Sequence, residues 1–366
     1  MKKTPHIIII GAGLIGLSTA DALLEKGAQV TLIERGAVPM GGASFANSGM
    51  VHISQARPWL SVMAGPHLDE DAGAAVLDLA RRSAPLIAAK AESLGLSMNQ
   101  RADGCMQIFR DLESWKWAQE NYDQLGIAYR RQPAGGVLGD RQALVFANDR
   151  SGDAHAYGMA LAADITQRGA KIITGHDTAL ISEDGRVTGV TVDGAAIKAN
   201  HIILAAGIGS AILAKSVGVN VPMKSVAGYS LTFPLPESFN APKHPVMDAL
   251  SRSCLTVFGK RLRLSGTVDA DGPEALIAIW EDLIPGLSDQ LKQPVMPPWR
   301  GERPVSLTGK PFIGRTSVPG LWVNTGHAHM GWTLCAGSGV LCADMVMDGA
   351  SDTRFSVPEA ATVKLS

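Results

Sequence analysis

An excess of charge of either sign is missing from this chain: 33 lysines and arginines stand against 34 aspartates and glutamates, a formal −1 at pH 7. That balance removes the electrostatic case for nucleic acid or an acidic surface as partner, because such binding draws on clustered cations. Long apolar runs are missing too. No stretch reaches the roughly 20 uninterrupted apolar residues that a membrane span needs. Cysteine is scarce, with only Cys105, Cys254, Cys335 and Cys342, and neither C-x-x-C nor C-x-x-C-H spacing occurs. Iron–sulfur, zinc and thioredoxin-like sites are thereby disfavoured, no metal is expected, and the thiols read as reduced core residues of a cytoplasmic protein. There is no internal repeat and no low-complexity segment. The start, MKKTPHIIIIGAG, places basic residues before an apolar run that is too short for the core of a signal peptide.

What is present is a large apolar complement, 46% of 366 residues with 18% charged, which fits a globular enzyme of two domains. The most informative stretch is IIIIGAGLIGLSTADALLEKGAQVTLIE. Residues 7–10 predict a buried parallel strand. Gly11, Gly13 and Gly16 form G-x-G-x-x-G, residues 14–26 a helix ended by Gly27, and residues 30–33 a second strand ending in Glu34. Gly11 serves the tight turn, Gly13 the close approach of a pyrophosphate, and Gly16 the packing of helix on strand. The pyrophosphate rests on the amides of the helix N-terminus. Glu34, 18 residues past Gly16, is placed to accept hydrogen bonds from ribose hydroxyls. Strand, turn, helix, strand and acid in this order mark a dinucleotide-binding unit.

The remaining organisation is interleaved. Residues 35–53 form a loop rich in Gly, Ala, Ser and Asn, and residues 72–94 a long helix with a kink expected at Pro85. Strand 105–109 and helices 112–125 and 157–168 follow, then strand 171–174. ALISEDGRVTGVTVDG reads as a hairpin with turns at Asp184-Gly185 and Asp193-Gly194. HIILAA (201–206) returns the chain to the nucleotide sheet, and residues 222–298 hold proline-broken strands. Strand 321–324 and helix 331–347 close the chain. The expected fold is α/β: an FAD-type dinucleotide domain from residues 1–70, 141–221 and 299–366, interleaved with a smaller, mostly antiparallel β substrate domain from residues 71–140 and 222–298.

GAGLIG with Glu34, GASFANSG (42–49), LAAG (204–207), GYS (228–230), WRGERP (299–304), PFIGR (311–315) and NTGHAHMGWT (324–333) span the chain in order. On these motifs the sequence resembles the D-amino-acid oxidase superfamily of flavoproteins, most closely its bacterial D-amino-acid dehydrogenase and glycine oxidase group. The resemblance implies FAD as cofactor and oxidation of the Cα–N bond of an amino acid, D-configured or an imino acid, by hydride transfer to flavin N5. The imine then hydrolyses to a keto acid. Gly11, Gly13, Leu14, Ile15 and Gly16 are expected to hold the pyrophosphate, and Glu34 with Arg35 the adenosine. Gly42, Ala43, Ser44, Asn47, Ser48, Gly49 and Met50 are expected along the phosphates and isoalloxazine, with Thr178 at the adenine and Ala206 and Gly207 at the phosphate side. Gly331, Trp332 and Thr333 are expected to aim amides at the flavin pyrimidine edge, where a helix N-terminus offers about half a positive charge.

Arg303 matches the family arginine that grips the substrate carboxylate by a bidentate fork; the alternative is an inter-strand ion pair. Arg300 is its competitor, and Arg315 reads as structural. Tyr229 either donates to the substrate or is an ordinary half-buried strand tyrosine. His52, His327 and His329 fall in loops expected near the flavin, where they order a water, tune the flavin or merely pack. Met50, Trp332 and Trp59 are candidate pocket residues, with packing the favoured role for Trp59.

Two departures from the family matter. The dehydrogenases carry a long aromatic and basic insertion after the equivalent of Arg57, Pro58 and Trp59, and this chain lacks it. That counts against quinone-linked membrane association, leaving peripheral contact with the inner membrane open. Glycine oxidases place a tyrosine where residues 254–256 stand here, so glycine is not the expected substrate. The readings left open are a self-sufficient dehydrogenase or oxidase, the FAD-containing subunit of a heteromeric dehydrogenase for opines, hydroxyproline or related secondary amines, and an inactive flavin scaffold. The electron acceptor is oxygen, a quinone or a partner subunit, and homo- or hetero-oligomers are both compatible.

Overall fold

The computed structural model describes residues 4–56, 69–99, 101–266 and 272–358; Trp59 and the segment following it lie outside them. A six-stranded sheet has the order Phe312–Arg315, Leu321–Thr325, His201–Leu204, His6–Ile10, Gln29–Glu34, Lys171–Thr174. Its neighbours run parallel except for the antiparallel edge strand Phe312–Arg315. Because side chains alternate across a strand, Ile7 and Ile9 face one core and Ile8 and Ile10 another. The first core lies under the helices Leu14–Glu25, Ala72–Ser93, Ala154–Gln167 and Gly331–Asp348. The second lies under the three-stranded meander Thr178–Glu183, Arg186–Val192, Ala195–Lys198. Both expected turns of that meander have positive φ at both central residues, 50° and 73° at Asp184-Gly185 and 48° and 83° at Asp193-Gly194. That is the I′ geometry whose twist matches the strands.

An eight-stranded sheet has the order Trp299–Ser306, Met223–Pro234, Arg261–Gly266, Cys254–Phe258, Val246–Asp248, Cys105–Ile108, Gln142–Phe146, Arg130–Pro133. Its apolar face buries Leu231, Leu262 and Leu264 against the helix Ala275–Leu283, whose Trp280 is fully enclosed. Two of its strands fall on the nucleotide side of the boundaries expected from sequence. Gln142–Phe146 pairs with Cys105–Ile108, and Trp299–Ser306 with Met223–Pro234. Long-range pairing of this kind leaves no local mark. The helix Ala72–Ser93, grouped by sequence with the substrate domain, packs on the nucleotide layer instead, where Ser83 Oγ accepts the Gly337 amide at 2.9 Å. It runs without interruption across Pro85. The helix expected from Tyr157 starts three residues earlier, because the Asp153 carboxylate caps it by accepting the His155 and Ala156 amides.

Candidate active site

At the glycine turn each expected role has a steric basis. Gly11 has φ +109°, and a Cβ there would lie 2.5 Å from the Ala205 carbonyl oxygen. A Cβ on Gly16 would lie 1.8 Å from the Gly11 carbonyl, so helix and turn touch backbone to backbone. Among the described residues a Cβ at Gly13 would meet only Ser44 within 4 Å, which leaves this side of the turn open. Ser44 Oγ accepts the Leu14 amide at 3.2 Å, tying the loop to the helix that Leu14 and Ile15 begin. The two Glu34 oxygens accept the Ala12 and Gly36 amides, each at 2.8 Å, which fixes the carboxylate beside the turn. Arg35 is exposed next to it. The Gly175 amide donates to the Glu34 carbonyl at 3.0 Å and brings the stretch leading to Thr178 alongside. Ala206 and Gly207 sit across from Gly11, the Ala206 amide donating to Ser210 Oγ and the Gly207 carbonyl accepting from Thr325 Oγ1.

The loop carrying Gly42, Ala43, Ser44, Asn47, Ser48 and Gly49 is clamped by the eight-stranded sheet. Thr256 Oγ1 donates to the Ser48 carbonyl at 2.8 Å and Arg263 Nη1 to the Asn47 carbonyl at 3.0 Å. Asn47 Oδ1 closes a tight turn onto the Gly49 amide. A Cβ on Gly49, at φ +77°, would stand 2.1 Å from the Phe258 ring. Met50 departs from expectation: its side chain is buried with Cys105, Met247 and Cys254 rather than lining the cleft.

The cleft beside this loop encloses about 700 Å³, mouth included. In the strand Trp299–Ser306, odd positions 299, 301 and 303 face it, while Arg300 is exposed and ion-paired with Glu302. That parity separates the two candidate clamps and leaves Arg303 in the cleft. Arg303 Nη1 donates to the Ala227 carbonyl at 2.9 Å, and the guanidinium lies over Gly228, whose ideal Cβ would fall 2.3 Å from both terminal nitrogens. Tyr229 lines the cleft, half-buried. Arg315 stacks on Trp322, the structural role expected of it.

His52 and His329 both line the cleft, their rings edge-to-face at 5.9 Å. The His52 amide donates to Thr333 Oγ1 at 3.0 Å. Burial pulls the His52 imidazole down to about 4. His329 falls to about 3, through burial first and then the nearby His52, Arg303 and Arg252. His327 is a correction to the sequence reading. It is 3% exposed and lies outside the cleft lining, bridged by its backbone to Val305 just ahead of the 3-10 turn Ala328–Met330. Trp332 is a second correction: its indole is buried against Gly152 and Tyr157, so only its backbone stays with Gly331 and Thr333 at the helix start.

Sequence reasoning missed two groups. Arg252, with φ +55°, enters the cleft from the turn after Val246–Asp248, and nothing local in its sequence marks it. Asp149 is buried beneath the His52 loop, where its carboxylate accepts the Ser54 amide at 3.1 Å and the Ser54 hydroxyl at 2.6 Å. Burial pushes it up to about 7. The chain of contacts continues from Gln55 Nε2 to the Tyr122 hydroxyl and from there to Gln107.

A dinucleotide flavin fits this cradle. The Gly331–Asp348 helix begins without a side-chain cap, the Gly13 turn is open, and the cleft-lining His52 has its Nδ1 buried with no hydrogen-bond partner among the described residues. Buried polar atoms of this kind normally have partners, and a polar cofactor supplies them.

Fold and site define a nucleotide-dependent oxidoreductase. Residues 6–345 match the DAO family of FAD-dependent oxidoreductases, and the chain belongs to that family. It is 30% identical to a D-amino acid dehydrogenase of Methylobacterium radiotolerans, over 95% of this chain and 97% of the relative. Iminodiacetate oxidase from Chelativorans sp. BNC1 superimposes with a TM-score of 0.80 at 23% identity, covering 97% of this chain and 100% of the other. Glycine oxidase from Geobacillus kaustophilus gives 0.79 at 22% identity, covering 97% and 99%. The protein is an FAD-dependent oxidoreductase. Among the described residues the one helix long and apolar enough to cross a membrane, Ala328–Asp348, is 61% buried inside the protein over its most apolar window.

Proposed function

We infer that this enzyme oxidises the Cα–N bond of an amino or imino acid. The observation that carries the reading is the Arg303 guanidinium, seated on Gly228 in a cleft that Asn47 and Ser48 also line. A fork of parallel N–H donors fixes a carboxylate in orientation as well as position. FAD, when bound, supplies the hydride acceptor. The protein's part is positioning, which in well-oriented systems supplies up to about 7–11 kcal/mol of barrier lowering. Imidazoles pulled down to about 4 and about 3 are uncharged at neutral pH, so His52 and His329 do not compete for the carboxylate. Such weak bases are poorly matched to proton abstraction. His329 Nε2, 3.2 Å from the Gln55 carbonyl, reads as the protonated nitrogen, with Nδ1 as the ring's acceptor.

The residues assigned to FAD are Gly11, Gly13 to Gly16, Glu34 and Arg35, loop residues Gly42, Ala43, Ser44, Asn47, Ser48, Gly49 and Met50, then Thr178, Ala206 and Gly207, and the amides of Gly331, Trp332 and Thr333. The two sheets correspond to a nucleotide and a substrate domain. Free, buried thiols fit a cytoplasmic location. The test is anaerobic bleaching of the purified holoenzyme against D- and L-amino acids, imino acids and opines; a flavin that none of them bleaches overturns the reading. Turnover of the isolated chain with oxygen, and then with an artificial dye, decides between oxidase, dehydrogenase and a need for a partner subunit. Arg303→Lys keeps the charge and loses the fork. It should slow reduction with FAD still bound, whereas Arg303→Ala should cost about 3–5 kcal/mol in kcat/KM. Parent-like reduction of Arg303→Ala would place the clamp elsewhere.

A further inference from the structure

The cleft holds a second guanidinium. Arg252 lines it together with Arg303, and none of its described lining residues is an aspartate or glutamate. Both arginines act on the same ring, since each lowers the proton affinity of His329. The turn that delivers Arg252 is built, not incidental. The Arg252 amide donates to the Asp248 carbonyl and the Asp248 amide to the Ser253 carbonyl, each at 2.9 Å. Arg252 is held at φ +55°, a conformation that is strained for a residue with a side chain and persists only where the surroundings impose it. Asp248, fully buried at the base of the turn, does the imposing. Its carboxylate accepts from Arg110 Nε and Nη2, at 3.1 and 2.9 Å, and from the Ser251 amide and hydroxyl, at 3.0 and 2.6 Å. With four donors already on it, that acid is committed to the turn and not to the cleft.

We propose that the cleft is shaped for a substrate with two acidic groups, Arg303 taking the carboxylate next to the oxidised carbon and Arg252 a second, distal one. The substrate class is an amino acid with an acidic side chain, or a secondary amine carrying a carboxylate on each arm. A monocarboxylate engages one fork, whereas a dicarboxylate gives each guanidinium a planar partner of matching geometry. The proposal rests on the amine-oxidising reading for the chemistry, but the binding it requires does not.

The test therefore starts with acids that cannot be oxidised at a C–N bond. Malonate, succinate, glutarate and adipate are titrated into FAD holoenzyme beside acetate and butyrate, and the perturbation of the flavin absorption band is read. The best dicarboxylate should bind about tenfold or more tighter than the best monocarboxylate, a gap worth about 1.4 kcal/mol. Arg252→Asn removes the guanidinium while keeping a residue tolerant of the left-handed conformation; it should shrink that gap to within about threefold, and Arg252→Lys should retain part of it. Equal binding of mono- and dicarboxylates by the parent overturns the proposal without any variant, and so does a gap unchanged in Arg252→Asn. In anaerobic reduction, D-aspartate, D-glutamate and N-carboxymethyl amino acids should outrun D-alanine and D-norvaline through KM rather than kcat. Monocarboxylic amines bleaching as efficiently as acidic ones would sink the two-acid cleft alone. Dicarboxylates that bind while no amine bleaches the flavin would sink the amine-oxidising reading alone.

Discussion

Gly228 lacks a side chain because the Arg303 guanidinium occupies the space one would take. Gly228→Ala would place a methyl 2.3 Å from both terminal nitrogens, so the fork must tilt or withdraw. The proposed carboxylate clamp, displaced in this way, should raise KM about tenfold or more, the loss of one charge-assisted hydrogen bond. FAD content should stay normal, and steady-state kinetics with flavin absorbance read both. Asp149 gives a second prediction, in pH. Its folded-state value of about 7 against an ordinary 3.8 means that the native protein keeps a proton which the unfolded chain releases. Its contribution is complete below about pH 4 and is lost as pH rises through about 7. His52, His327 and His329 act in the opposite direction, being lowered from 6.5 to about 4, 3 and 3. Their contribution is present above about 6.5 and is lost as pH falls. Asp149→Asn keeps an acceptor for the Ser54 amide and removes the titration. Its stability relative to the parent should therefore climb between about pH 4 and 7, as urea unfolding across that range would reveal. A constant offset would mean that Asp149 is already ionised in the native state.

At the scale of elements, the Gly331–Asp348 helix is the axis of the nucleotide layer. A Cβ on Gly337 would stand 2.8 Å from Ser83 Cβ in the helix Ala72–Ser93, and one on Gly339 would stand 2.7 Å from the Ser18 carbonyl in the helix Leu14–Glu25. Two small residues on one helix thus let it approach a neighbour on each side. Gly337→Ala should cost about 1–3 kcal/mol by overpacking, measured by urea unfolding. Ser83→Gly in the same chain should recover part of that loss, because the two positions share one contact. Additive losses would show that the clash is absorbed elsewhere. The same helix begins at the expected flavin edge, so its packing depth also sets where its amides point.

Across the whole molecule, the nucleotide sheet is assembled from residues 6–34, 171–204 and 312–325, and the residues proposed to hold FAD lie within those segments or in the stretches that follow them. FAD held by these residues would tie together parts of the chain that are remote in sequence and would so favour the folded form. At one hundred times its dissociation constant it should add about 2.7 kcal/mol to the unfolding free energy. Glu34→Ala should weaken FAD by about 1–3 kcal/mol, the worth of hydrogen bonds to a charged group, and raise the FAD concentration needed for the same thermal shift. An unchanged FAD requirement would put the ribose contact at another residue.

Local chemistry is what the sequence determined by itself. The glycine turn, Glu34 and both I′ turns were legible, because each depends on conformational or steric demands met within a few residues. The Asn47 loop and Arg303 were legible as motifs. Tertiary structure decided what depends on partners far along the chain. The strands Gln142–Phe146 and Trp299–Ser306 join the eight-stranded sheet because their hydrogen-bonding partners lie there, not because of their own pattern. Strand parity put Arg303 in the cleft and Arg300 on the surface, and of the nearby histidines His329 lines the cleft while His327 does not. Arg252 reached the cleft only through the Asp248–Arg110 pair, which joins residues 138 positions apart. A side chain's neighbours along the chain fix its backbone preferences, but burial and charge come from the surfaces that folding brings against it.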